Sequence, residues 1–108
     1  MNTKIFLIGM PRLMREIIAR AVEQHPELVV VGERAQDADR LLEAIDEAGA
    51  NTVILDVAPP TSAEVLVRLF EQRPRTVLVV VRDGREVFRC EPLGELSPQA
   101  LVRAAQSP

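Results

Sequence analysis

The feature that leaves this chain fewest options is a rhythm. Short apolar runs alternate with helical stripes, and the rhythm changes after the fourth run. The first run, Ile5 to Ile8, does not alternate with polar residues and is closed by Gly9. A run of that kind reads as a strand buried on both faces. Leu28 to Val31, stopped by Gly32, and Val53 to Val57 repeat the pattern. Between them lie stripes of helical period. Met14, Ile17, Ile18, Ala21 and Val22 follow Pro11 and end before Pro26, and proline suits a first turn and forbids continuation at the far end. Leu41, Leu42, Ile45 and Ala48 form a second stripe, with Asp37 as its expected cap and Gly49 as its stop. Val65, Leu66, Leu69 and Phe70 form a third, opened by a capping box of Thr61 and Glu64 and closed by Pro74.

The order βαβαβα implies a parallel sheet with helices on both faces. Val77 to Val81 continues it as a fourth strand, but no helical stripe follows. Instead Asp83-Gly84 stands directly between two extended runs, a strong hairpin signal. Glu86 to Cys90 is therefore expected as a fifth strand, antiparallel to the fourth, at the sheet edge. Its charges, Arg85, Glu86, Arg89 and Glu91, oppose stray edge pairing. Ser97 caps a last short helix with Pro98 at its first position and Leu101, Val102 and Ala105 inward. The expected architecture is one domain over 1–108, a doubly wound α/β sheet with strands one to four parallel.

Composition narrows the function. Aromatic residues are only 3% of the chain, so the core is built of Val, Leu, Ile and Ala. The net charge of -3, with Arg and Glu interspersed, argues against a nucleic-acid grip by bulk electrostatics. No apolar run approaches the roughly 20 residues of a membrane helix, and the first residues lack the shape of a signal peptide. With the single cysteine, Cys90, these features lead to the expectation of a cytoplasmic protein.

The segment "HPELVVVGERAQDADRLLEAI" resembles the second strand and helix of receiver domains from bacterial two-component response regulators, closest to the subfamily with C-terminal helix-turn-helix effectors. "VILDVAPP" resembles that family's third strand and following loop, where an aspartate accepts a phosphoryl group and a proline follows, here Asp56 and Pro60. "ELSPQALVRAA" resembles the start of its last helix. The resemblance covers all but the segment after the fourth strand, and implies a flavodoxin-like, receiver-like fold. It also exposes what this chain lacks. Stabilising the charge on a transferred phosphoryl group needs cationic or metal help. Receivers bind Mg²⁺ through an acidic pair after the first strand, where this chain has Gly9-Met10. They use a Ser or Thr at the end of the fourth strand, where it has Val81-Arg82. They use a lysine after the fifth, whereas the only lysine here is Lys4, at the wrong end of the sheet. The family's fourth helix is also missing.

The expectation is a degenerate receiver that does not use Mg²⁺-dependent aspartyl phosphorylation and is not an enzyme. Asp56 is then a strand-end residue, with Arg82 as its possible ion-pair partner. A phosphorylatable receiver with Asp56 as acceptor is the alternative, and a small-ligand sensor at the carboxyl end of the sheet is a third. No metal and no cofactor are expected. His25 reads as a surface residue, since a metal site needs several ligands. Cys90 reads as a small core residue. "GMPRLM" lacks the second glycine of a dinucleotide turn. "VLVVV" is apolar on both faces, and without a helix after it Val79, Val81 and Val87 are interface candidates. The expected partner is a protein or effector domain, with a homodimer as the simplest assembly.

Overall fold

In the computed structural model, described over residues 2–57, 62–72, 76–81, 85–90 and 94–106, five strands form one mixed sheet. In chain order they are β1 (Thr3–Ile8), β2 (Leu28–Arg34), β3 (Thr52–Asp56), β4 (Thr76–Val81) and β5 (Glu86–Cys90). The helices among the described residues are α1 (Arg12–Gln24), α2 (Leu41–Ala48), α3 (Ser62–Gln72) and α4 (Pro98–Gln106). The strands lie in the order β2-β1-β3-β4-β5. The first four are parallel and β5 is antiparallel to β4, as expected. Among the described residues no helix intervenes between β4 and β5.

The middle strands are buried on both faces because helices lie on both. On one face Phe6, Ile8, Val53 and Leu55 pack with Leu41 and Ile45 of α2 and Val65 and Leu69 of α3. On the other, Ile5, Leu7, Met10, Ile54 and Val80 pack with Met14 and Ile18 of α1. Burying such branched side chains, each worth about 1.5–3 kcal/mol, is what sets the strands' register.

Several local expectations change. β2 does not stop at Gly32 but runs through it to Arg34. The register slips by one residue between Ile5 and Phe6, which brings Phe6 opposite Gly32. A Cβ at Gly32 would sit 2.6 Å from the Phe6 ring, so the glycine makes room for the ring rather than ending the strand. Asp37 does not cap α2. The residue before the helix is Arg40, in the left-handed region (φ 57°), with no side-chain cap bond. Gly49 ends α2 in the left-handed conformation, as its position implies (φ 72°).

Ile17 and Phe70 lie outside the cores, each 52% exposed. Ser97 does cap α4, its Oγ accepting the Ala100 N–H at 3.0 Å. The stripe on α4 is nevertheless not inward: Leu101, Val102 and Ala105 are all exposed. The Thr61 half of the capping box, Pro60, Pro74, Arg82, the Asp83-Gly84 turn and Glu91 lie outside the described residues.

Candidate functional site

The parallel strands β1, β3 and β4 end on one side of the sheet. Asp56, the last residue of β3, is half-buried and opposite Val80 of β4. The next N–H, of Val57, donates to the Val80 carbonyl at 3.0 Å and ties the end of β3 to its neighbour. Asp56 is not without a partner. Arg82, its expected partner, lies outside the described residues.

The two residues after β1 are committed to structure. Gly9 is in the left-handed region (φ 61°), and its N–H donates to the Arg34 carbonyl at 2.9 Å. Met10 is 8% exposed and belongs to the core on the α1 face. Over Gly9 lies the side chain of Gln36, from the β2–α2 connection. Its Nε2 donates to the main-chain carbonyl of Asp56 at 2.6 Å. A Cβ on Gly9 would come within 2.9 Å of Gln36 Cγ and 3.1 Å of its Nε2. A Cβ here would crowd the amide where it crosses the end of β1 to reach β3, and the positive φ itself favours glycine. Among the described residues no group of three or more His, Cys, Asp or Glu is placed to share a metal ion.

Nothing in "ERAQDADR" marks Gln36 for this role. It is a lone amide in a polar loop, and its partner is a backbone atom with no sequence signature. The one legible half of the contact is the glycine closing the first apolar run.

Beside Gln36 a cleft of about 470 Å³ opens between the β2–α2 connection, the first turn of α2, and α3. Its walls carry both signs of charge, including Asp39, Arg40, Glu64 and Arg68. Arg40 Nε lies 3.0 Å from Glu43 Oε2 across the first turn of α2. Further out, Arg15 of α1 pairs with Glu33 of β2 at 3.2 Å, with both side chains partly in solvent. A pair so placed contributes about 0–1 kcal/mol.

The remaining predicted positions are dispersed. His25 is exposed, its Nδ1 3.4 Å from Glu27 Oε1. Cys90 is a half-buried free thiol opposite Val77. The register divides the three valines proposed as one interface. Val79 is covered, 8% exposed, and sits on the α2–α3 face, as does half-buried Val81. Val87 pairs with Val80 and so faces the α1 side, where it is 61% exposed. The exposed apolar partner on the α2–α3 side is Phe88, opposite Val79 and 55% exposed. At this edge of the sheet the exposed apolar side chains are those of β5, one on each face.

No helix among the described residues is long and apolar enough to cross a membrane. The chain matches no known family model, no curated protein and no solved structure.

Proposed function

We propose that this chain is a degenerate, flavodoxin-like receiver module that works through protein–protein contact and does not run Mg²⁺-dependent aspartyl phosphorylation. The observation that carries the reading is the fate of the two positions after β1. In the resembled family they are acids that seat a cation. Here Met10 is part of the core and Gly9 is roofed by Gln36. A hard cation wants oxygen ligands, and neither side chain supplies one. The order β2-β1-β3-β4-β5 supports the same reading, because it is the strand order of flavodoxin-like sheets. So does Asp56 at the carboxyl end of β3. The contact surface would be the β5 edge, with exposed Val87 and Phe88, and a homodimer is the simplest assembly that uses it.

Incubation with a small phosphodonor and Mg²⁺, followed by intact mass measurement, is expected to show no stable phosphoryl adduct. An adduct that disappears in Asp56→Asn overturns the reading. The contact half is tested separately by light scattering. The expected mass is twice the 12.0 kDa of one chain, reduced to that of one chain by Val87→Glu. A wild-type protein that stays monomeric at high concentration removes the homodimer.

A further inference from the structure

We propose that residues 35–40 form a strap across the carboxyl end of the sheet, with Gln36 coupling the cleft beside α2 to the end of β3. The inference needs no receiver chemistry and stands if that reading fails.

The strap is held unevenly. Its ends belong to β2, which finishes at Arg34, and to α2, which begins at Leu41. Between them Ala35, Asp37, Asp39 and Arg40 are exposed, and only Gln36 and Ala38 are half-buried. Within the segment the Ala38 N–H donates to the Ala35 carbonyl at 3.2 Å, a local turn. The long-range tie is the 2.6 Å bond from Gln36 Nε2 to the Asp56 carbonyl.

The far end of the strap is tied locally to α2, the Ala44 N–H donating to the Arg40 carbonyl at 3.0 Å and the exposed Arg40 side chain pairing with Glu43. Arg40 precedes α2 in the left-handed region, and no side chain caps the helix. A non-glycine residue in that region is strained, and such strain persists only where its surroundings enforce it. The neighbouring chain is firmer: the N–H groups of Gly9 and Val57 are bonded to Arg34 and Val80 at 2.9 and 3.0 Å. Strands thus hold the rim of the sheet, while a side chain holds the strap.

The same segment is one wall of the cleft, from Gln36 through Arg40, facing Glu64, Val65 and Arg68 of α3. Contact with that wall moves or steadies the strap. Through Gln36 the change reaches the peptide of Asp56, whose following N–H bonds to β4. The strap thus touches both the cleft and the end of β3, the contiguity that coupling between the two requires.

Hydrogen exchange on the whole chain tests this. Gln36→Ala is expected to speed exchange at Ala38, the strap amide bonded to the Ala35 carbonyl, and at Val57 by roughly 3- to 10-fold, the factor that loss of one side-chain hydrogen bond carries. Amides inside β1 and α2 should keep their rates. Gln36→Ser, polar but too short to reach Asp56, should behave alike and serves if the alanine variant folds poorly. A change of less than about twofold in both segments overturns the proposal. So does acceleration of the strap alone with Val57 unmoved, which would sever the coupling. Uniform acceleration throughout the chain also overturns it, because the strap would not be a separate unit.

Discussion

Met10→Asp lowers the unfolding free energy by roughly 2–4 kcal/mol at pH 7, the cost of placing an unpartnered carboxylate among apolar side chains. The substitution is instructive because it places an acid where the resembled family has one of its two cation-seating residues. Met10 is 8% exposed and packs with Ile5, Leu7, Ile54 and Val80. None of these offers a hydrogen bond from its side chain. Burial raises the folded-state pKa of the new carboxyl, so the folded state holds its proton to higher pH than the unfolded state. The variant is therefore least impaired in acid and loses stability as pH rises through the interval between the two pKa values. Urea melts at a series of pH values measure this. A variant as stable as wild type at pH 7 would show that Met10 is not part of the core. The same melts with and without Mg²⁺ are expected to coincide.

The second large effect comes from Phe6 and Gly32. Phe6 is 1% exposed and among the largest fully buried side chains. Phe6→Ala removes the centre of the α2–α3 core, for an expected loss of about 3–5 kcal/mol. Gly32→Ala puts a methyl 2.6 Å from the ring edge, closer than carbon atoms tolerate, and overpacking of this kind costs about 1–3 kcal/mol. The two losses should not add. Once the ring is gone, the alanine methyl meets open space. The double variant is expected to be no less stable than Phe6→Ala alone, with a coupling of about 1 kcal/mol or more. Strict additivity would mean that the ring moves aside freely and that Gly32 serves some other purpose.

The fold was largely legible because burial writes itself into period. Unalternating apolar runs between helical stripes define a parallel sheet, covered at β1, β3 and β4 but not at the β2 edge, where Val29 and Val30 are exposed, and the hairpin signal correctly placed β5 antiparallel to β4. The errors share a cause. Gly32 resembles a stop, yet the reason for it is a ring that one dimension does not reveal: Phe6, on another strand, brought opposite by a register slip. Phe70 and the stripe of α4 have the period of inward faces, but period states which residues share a face and not whether anything covers it. Arg40 is invisible for a related reason, since its residue type does not favour the left-handed region. Of the candidate site, Asp56 at a strand end was legible and Gln36 was not. An amide bonded to a backbone carbonyl answers to position, and the alphabet of side chains carries no trace of it.

The reversal of the last strand decides where the chain departs. Val81 pairs with Glu86 and Val77 with Cys90, so β5 carries the backbone from the pole of Asp56 back to the pole where the parallel strands begin. Six residues of β4 span about 20 Å. Whatever follows β5, α4 included, is launched from the opposite pole to the carboxylate. The chain therefore leaves the sheet the whole height of β4 away from Asp56, where a parallel fifth strand would have released it beside that carboxylate.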